Sequence, residues 1–555
     1  MLFSQTMLEL YLPNLMSDII DIGVVNEDMD YIINKGFFML GVALLSAFLV
    51  ITSSYMSSFV ASRFAADLRK KVFERVTSYS AKEINKFGVS SLITRTTNDI
   101  NQIQQVTVMI FRMMISAPIM MIGGVIMALS KDVKLSLVII AVLPVLALLI
   151  VFVAKKGIPL FKENQIRLDK LTGVVREYLI GIRIVRAFNK SNHEKDKFDI
   201  ANEALTSNAI KVNRIMALMM PAMMFIMNIT VVGIVWFGGI RIDQGSMQVG
   251  DMMAFMQYAM QIMFSLLMFS MMFVMIPRAQ ASAVRIVEVL ETENTIIDPS
   301  NPKKLEIIDS LIEFDNVSFS YEGATENALE NINFKVKKGE ILAIIGGTGS
   351  GKTTILNLIN RFYDVSNGRI LLDGLNIKDI TMRDLRERIG LVTQKAEIFS
   401  GSIEENIIFG NDSISQNEIL EITKISQMEE FLTNMDNGYK SHVSQGGTTI
   451  SGGQKQRLSI ARAIAKKPDI YLFDDSFSAL DYKTDRLLRT ALKERFKNSA
   501  VIVVAQRISS IKDADKILVI DDGKICGYGT HNELMESSIV YQEIVYSQLS
   551  KEEIA

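Results

Sequence analysis

Residues 341–359 read ILAIIGGTGSGKTTILNLI, a short apolar run, a glycine-rich loop and the opening turns of an amphipathic helix. Gly346, four further residues and then Gly351-Lys352-Thr353 match the pattern G-x-x-x-x-G-K-[ST] in the strand-to-helix context the pattern requires. Glycines let backbone N–H groups crowd around phosphates, and the helix N-terminus adds a favourable dipole. Lys352 is spaced to reach the outer phosphates, and Thr353 offers a hydroxyl to magnesium. The stretch therefore assigns Gly346, Gly347, Thr348, Gly349, Ser350, Gly351, Lys352, Thr353 and Thr354 to a nucleoside triphosphate, in a domain of α/β class.

The second half of such a site is expected at the end of another buried strand, and residues 470–481, IYLFDDSFSALD, supply it. Ile470 to Phe473 predict the strand, Asp474 at its end predicts a magnesium ligand acting often through water, and Asp475 stands where a water-activating base belongs.

A chain of 555 residues exceeds one core and predicts two or more domains. Up to about residue 275 long apolar runs alternate with basic stretches, and beyond about residue 300 the pattern is that of a soluble α/β domain. The formal net charge of -2 gives no support for nucleic-acid binding. The single cysteine, Cys526, excludes an internal disulfide and a cysteine-based metal site, and reads as a structural residue of the soluble domain. The opening MLFSQTMLELYLPNL lacks a basic region and a small-residue cleavage site, so the apolar segments themselves are expected to direct the chain to the membrane.

Spans are predicted at roughly 37–60, 108–129, 133–153, 218–239 and 250–275, with a weaker sixth over residues 1 to about 23, interrupted by Glu9, Pro13 and Asp18. The connections 61–105 and 154–211 are rich in lysine and arginine and read as cytoplasmic. Their helical periodicity predicts that the spans continue outward as stalks. Methionine clusters at 214–227 and 251–275 suit either a cavity for varied apolar ligands or simple gap filling. Arg112 suits either a pathway residue inside its span or, because it lies near the span's cytoplasmic end, an arginine that snorkels.

Between the two phosphate-site motifs lies TTISGGQKQRLSIARAIAKKPDIYLFDD (448–475), and with it the chain resembles the ATP-binding cassette transporters. Ser451, Gly452, Gly453 and Gln454 resemble the family's signature motif, Tyr321 in FSYEG the aromatic residue that stacks on adenine, and Gln394 in LVTQKAEIFSGSIEENI the Q-loop glutamine. Ser478, Ala479, Leu480 and Asp481 resemble the D-loop. FGVSSLITRTTNDINQIQQ (87–105) and REYLIGIRIVRAF (176–188) resemble cytoplasmic connections of the exporter branch, in which six spans precede one cassette. The resemblance implies an all-α polytopic membrane domain of six helices with long cytoplasmic extensions at 1–290, a linker at 291–311 and an α/β P-loop nucleotide-binding domain at 312–547. It further implies ATP with Mg2+ held by Thr353, Gln394 and Asp474, and residence in a bacterial plasma membrane with the cassette in the cytoplasm. Short coupling helices at the stalk tips would dock on the cassettes of a two-chain assembly, in which each ATP is sandwiched between the phosphate-site motifs of one chain and the signature of the other. Only about ten residues precede YLPNLMSDIIDIGV (11–24), fewer than the family usually has there.

Two departures bear on chemistry. The family usually has glutamate where Asp475 stands and histidine where Gln506 stands in VIVVAQRISS. Aspartate is one methylene shorter, which sets its carboxylate about 1.5 Å back, while hydrogen-bond reach for a base is only about 2.6–3.2 Å. Gln506 can donate to a phosphate but cannot take up and release a proton as histidine can. A third, Gln445 for a common glutamate, has no evident consequence in the sequence. The resemblance implies an ATP-driven exporter of small amphipathic or hydrophobic substrates, drug- or lipid-like, and the departures add an expectation about this chain's place in it. In it this chain is the heterodimer half with a degenerate ATP site and an intact signature serving the partner's site. The alternatives are a self-sufficient homodimeric exporter and a non-transporting regulatory membrane protein. A partner half-transporter chain, the lipid bilayer and a hydrophobic substrate are the expected partners.

Overall fold

The computed structural model describes residues 1–305 and 311–548; residues 306–310 of the expected linker at 291–311 lie outside the described residues. The chain divides into two compact units, one of residues 1–77 and 89–292 and one of residues 78–88 together with those from 293 onward.

The first unit is helical. α1 spans Leu2–Asp18 and runs through a π-helical turn, Ile19–Val24. α2 is the 50-residue helix Met29–Ser78, whose last residue already belongs to the second unit, as does the short helix α3, Ala81–Phe87. The helices α4 (Val89–Thr96), α5 (Asn98–Met109), a π turn (Ile110–Met114) and α6 (Ser116–Lys131) follow one another along a single membrane-length stretch. Then come α7 (Val133–Ile180), the short α8 (Ile182–Ala187), α9 (Ser191–Asp243) and α10 (Val249–Glu291). Five stretches among the described residues are long and apolar enough to cross a membrane, and each contains one of the five stronger predicted spans. At about 1.5 Å per residue, helices of 48 and 53 residues outrun the roughly 30 Å hydrocarbon thickness by more than half their length, and so form the expected stalks. The outer faces of α2, α7 and α9 carry exposed Phe37, Leu148 and Trp236, the inverse of a soluble bundle.

The weak first segment is helical despite Pro13, because its buried face packs: Leu10 and Leu15 are buried, and the Tyr258 hydroxyl donates to the Leu10 carbonyl at 3.0 Å. Asp21 then caps α10, accepting from Gly250 N at 2.6 Å and Asp251 N at 3.0 Å. Near the cytoplasmic end of the unit, α5 and α10 are joined by Asp99, which accepts from Arg285 Nε at 2.8 Å and from the Ser282 hydroxyl at 2.9 Å.

The second unit holds two main sheets. β1 (Ile312–Phe319), β2 (Leu329–Val336), β4 (Asn367–Leu372) and β5 (Leu375–Asn376) form an antiparallel sheet in the order β2-β1-β4-β5, and β3 is Ile341–Gly346. The remaining strands are β6 (Ile389–Val392), β7 (Gly401–Ser402), β8 (His442–Val443), β9 (Ile470–Asp474), β10 (Ala500–Val504), β11 (Lys516–Asp521) and β12 (Lys524–Gly529). The six-stranded sheet runs β12-β11-β3-β10-β9-β6, parallel except for β12. Its central strands are buried on both faces, which explains why β9 and β10 read as continuous apolar runs. Alternate residues divide between two cores: Ile345, Tyr471 and Phe473 face one, and Ile344, Leu472 and Ile502 face the other. The helices are α11 (Lys352–Ile359), α12 (Met382–Glu387), α13 (Ile403–Ile408), α14 (Gln416–Ile425), α15 (Glu429–Thr433), α16 (Gly452–Ala465), α17 (Tyr482–Phe496), α18 (His531–Ser537) and α19 (Ile539–Gln548). Cys526, read as a structural residue, is exposed on the edge strand β12.

Within this unit α3 is held by its own capping box, Ser80 with Glu83. Burial opposes ionisation of Glu83, but the hydroxyls of Ser80 and Thr295 and the Thr295 N–H outweigh it and hold the carboxyl below its usual range. Asn85 Nδ2 donates to the Tyr363 hydroxyl at 3.1 Å, and Lys82 pairs with Glu322 at 3.2 Å.

Candidate functional site

The loop after β3 is shaped by two glycines for different reasons. A Cβ on Gly346 would lie 1.9 Å from the Ile520 carbonyl oxygen, so the strand end admits no side chain there. Gly351, the N-cap of α11, has φ +100°, and a Cβ there would meet Leu329 Cδ2 at 2.6 Å. Gly347, Thr348 and Gly349 are exposed along the loop. Lys352 Nζ folds back to donate to the carbonyls of Gly346 at 3.0 Å and Gly347 at 2.6 Å. Burial pulls its ammonium below the ordinary lysine value, with Asp475 and Asp474 opposing. Ser350 Oγ is buried without a hydrogen-bond partner among the described residues, a polar atom that the loop leaves for something it encloses.

Neighbouring strands bring the acidic pair to this loop. β10 lies between β3 and β9, with Val504 beside both Ile344 and Asp474, so the ends of all three strands meet. The Thr353 hydroxyl donates to Asp474 Oδ1 at 3.0 Å. Burial pushes the Asp474 carboxyl up, the Thr353 hydroxyl opposes, and the neighbouring Asp475 charge adds to the rise. Two hard oxygen donors held together, with the carboxylate short of compensating charge, fit a divalent cation. No group of three or more His, Cys, Asp or Glu residues stands ready for a metal among the described residues. Magnesium fits that donor set, since it keeps several waters and takes ligands from substrate phosphates.

Asp475 is buried and left-handed, at φ +46°, a conformation aspartate tolerates better than most residues. Its Oδ2 accepts from Gln506 Nε2 at 2.9 Å and from Gln394 Nε2 at 3.4 Å. Burial raises its carboxyl, and hydrogen bonds from Ser478 and Gln394 only partly offset this. Gln394 therefore bonds to Asp475, not to Thr353 or Asp474. Gln506 is in turn held through its carbonyl, which accepts from Gln548 Nε2 at 2.7 Å.

Tyr321 is half-exposed, with its edge toward Phe319 at 4.9 Å and Tyr363 at 5.3 Å between ring centres, and its hydroxyl lies 3.0 Å from Thr354 Oγ1. Neither Tyr363 nor the α3 contacts with Tyr363 and Glu322 were singled out from sequence; the helical spacing of AKEINKF gave no clue to its docking site.

Ser451 begins α16 through a capping box: its hydroxyl accepts from Gln454 N at 3.3 Å, and Gln454 Oε1 accepts from Ser451 N at 2.8 Å. Gly452 has open space at its Cβ position, and Gly453 faces the Ala479 carbonyl, which brings the signature beside the D-loop. Within the D-loop Ser478 Oγ donates to the Asp475 carbonyl at 2.8 Å, Leu480 is buried and Asp481 caps α17. The basic residues of α16 are braces: Arg462 donates to Asn406 Oδ1 at 2.7 Å and to the Glu397 carbonyl at 2.9 Å. Gln445 is exposed in a 3₁₀ turn, Gln445–Gly447.

Comparison with known proteins agrees with this geometry. The family description "ABC transporter transmembrane region" matches residues 1–266, and "ABC transporter" matches residues 329–478. An "Uncharacterized ABC transporter ATP-binding protein" of Mycobacterium tuberculosis is 38% identical over 98% of this chain and 94% of its own length. One of Bacillus subtilis is 37% identical over 100% and 96%. An "ATP-dependent lipid A-core flippase" of Syntrophus aciditrophicus is 32% identical over 90% of this chain and 83% of its own length. The structure of a bacterial Atm1-family ABC exporter with ATP bound shares the fold at a TM-score of 0.79 and 24% identity, over 99% of this chain and 96% of that one. The chain belongs to the ABC transporters. It is a membrane exporter of half-transporter architecture, a helical membrane domain followed by one cytoplasmic α/β cassette that binds ATP and couples its hydrolysis to transport. Exporters of this kind act as dimers in a membrane.

Proposed function

We propose that this chain is the degenerate-site half of a heterodimeric exporter. Its own phosphate loop holds ATP as a clamp, while Ser451 to Gln454 complete the hydrolysing site of a second half-transporter. The observation that carries the reading is Asp475: its Oδ2 is taken by two neutral amides, Gln506 Nε2 at 2.9 Å and Gln394 Nε2 at 3.4 Å. A base must present its lone pair to water, and neither amide can accept the proton that a histidine would carry onward. General-base assistance is worth about 10²- to 10⁴-fold, roughly 3–5 kcal/mol of barrier, so its loss slows hydrolysis while leaving binding largely intact.

The binding elements support retention of ATP. Lys352, Ser350 and the loop N–H groups line the phosphate position, and Tyr321 offers a ring for adenine. Magnesium, held by Thr353 and Asp474 with Gln394 as a further oxygen donor, would neutralise phosphate charge. The D-loop, Ser478 to Asp481, carries the link between this site and the signature through Gly453 and Ala479. Closure of the cassette pair on ATP would be carried by the stalks to a cavity for small amphipathic or hydrophobic substrates, drug- or lipid-like. The domain limits that follow are 1–290 for the membrane part and 312–547 for the cassette, with α3 counted among the surfaces that meet the cassette. The membrane proposed is the bacterial plasma membrane.

The test is ATP turnover by the purified chain alone and beside its partner. Slow turnover alone and fast turnover together are expected, and fast turnover by the solitary chain would refute the division of labour. Asp475→Glu combined with Gln506→His is expected to raise hydrolysis at this site by about tenfold or more; no change would mean that something other than the base limits it.

A further inference from the structure

We infer that the membrane unit carries a subsite for the anionic head of an amphipathic ligand, built around Arg112; this rests on the exporter reading and names the chemistry of what its cavity takes. A cavity of about 440 Å³ lies among α1, α2, α5, the π turn and α10. That is the size range of small-ligand pockets. Its polar lining comes from Gln5, Ser53, Gln105 and Arg112, and no carboxylate among the described residues lines it. Ser53 Oγ donates to Gln5 Oε1 at 3.1 Å, and Gln5 Nε2 donates to Glu9 Oε1 at 3.1 Å, so the carboxylate one turn along α1 is already engaged. Arg112 makes no hydrogen bond or ion pair with any described residue.

An arginine inside a span normally faces the bundle interior or a wet cavity and finds a partner there. Arg112 stands four residues into its span, about 6 Å along the helix, and its π turn, Ile110–Met114, is the kind of local irregularity that recurs at functional sites. The remaining wall is apolar and adaptable. Met109, Met113 and Met268 supply flexible thioethers against which an alkyl chain can lie. One uncompensated guanidinium next to such a wall selects a ligand with a phosphate, sulfate or carboxylate head and an apolar tail.

The experiment is equilibrium binding of radiolabelled dodecyl phosphate, without ATP, to the full chain alone and with its partner in phosphatidylcholine nanodiscs. Saturable binding is expected for dodecyl phosphate and not for dodecyltrimethylammonium, with Arg112→Gln weakening it about tenfold or more. Met113→Trp, which fills the cavity and leaves the charge, should weaken it too. Displacement by inorganic phosphate at equal concentration would make the site a free-anion site and overturn the amphipathic assignment. Unchanged binding in both variants would overturn the site. Weakened subunit association in Arg112→Gln with binding intact would hand the guanidinium to a carboxylate of the partner, and overturn it equally. Because no hydrolysis is read, a negative result leaves the asymmetry of the ATP sites standing, and a fast solitary ATPase leaves this binding to be judged on its own.

Discussion

The corner of the cassette at the ends of β9 and β10 differs from the corner at the start of α16 in what its side chains are free to do. At the first, Gln506 and Gln394 both donate to Asp475 Oδ2, so one oxygen of a carboxylate that matches the family pattern in charge but not in length is engaged inside its own chain. At the second, Ser451 and Gln454 bond only to their own helix start, and Gly452 has open space around it. The first corner is closed upon itself and the second is presented outward. In the proposed pairing, a chain with that asymmetry gives a neighbour more catalytic assistance than it keeps.

The largest effect should therefore come from the outward corner. Ser451→Arg fills the space in front of the α16 N-terminus and removes the donors it would offer to a facing phosphate. Turnover of the two-chain transporter should fall by about a hundred- to a thousandfold, the usual cost of losing an oriented transition-state donor. Lys352→Ala, in the closed corner of the same chain, should cost far less turnover while weakening ATP binding to this chain. Equal losses from the two variants, measured as steady-state ATPase of the assembled pair, would abolish the asymmetry.

The next effect lies in the stalk, where a buried carboxylate meets a real cation. Burial opposes ionisation of Asp99, but hydrogen bonds and charge from Arg285, with the Ser282 hydroxyl, outweigh it and hold the carboxyl below its usual range. The Asp99 side chain is 1% exposed and that of Arg285 45% exposed, so Arg285 can recover water when its partner is neutralised. Asp99→Asn should thus cost about 1–2 kcal/mol, less than the full price of stranding a buried charge. A depressed folded value means the stabilisation is present above the ordinary carboxylate range and is lost as pH falls through the folded value. The gap between wild type and variant, read by hydrogen exchange in α5, should be widest near neutrality and close in acid.

How much of this was legible follows from the distance over which each feature is written. The phosphate loop could be read because its constraints fall within Gly346 to Thr353, where backbone geometry itself demands glycine. The five strong spans could be read because hydropathy is a local sum. α1 was harder: Glu9, Pro13 and Asp18 break the local pattern, and what makes the segment helical is packing against α6 and α10, more than a hundred residues away. Asp475 was legible as one methylene shorter than the glutamate usual at its place, but its bond to Gln506 depends on β9 and β10 lying side by side, a strand order that no local pattern records. The same holds for Asp99 with Arg285, separated by 186 positions, and for α3, whose residues join the cassette unit although they lie between two membrane-unit segments.

The smallest effect returns to Asp475 and sets it against Asp99, since the two buried aspartates have opposite surroundings. Asp475 is met by amides in place of a guanidinium, and burial raises its carboxyl above the ordinary value despite help from Ser478, Gln394 and Lys352. A raised folded value means the folded state bears a cost for charging the group at neutral pH. That cost disappears as pH falls through the interval between the raised value and the ordinary carboxylate value near 3.9. Asp475→Asn keeps an oxygen for Gln506 and removes the charge. In the absence of nucleotide it should raise the melting temperature of the cassette by about 1–2 °C near neutrality, the response of a unit this size to a few tenths of a kcal/mol. The gain should vanish in acid, where wild type is protonated folded and unfolded alike. A loss of stability at neutral pH would mean that Asp475 is compensated by charge as Asp99 is, and the closed corner would then be a working carboxylate held ready, not one retired among amides.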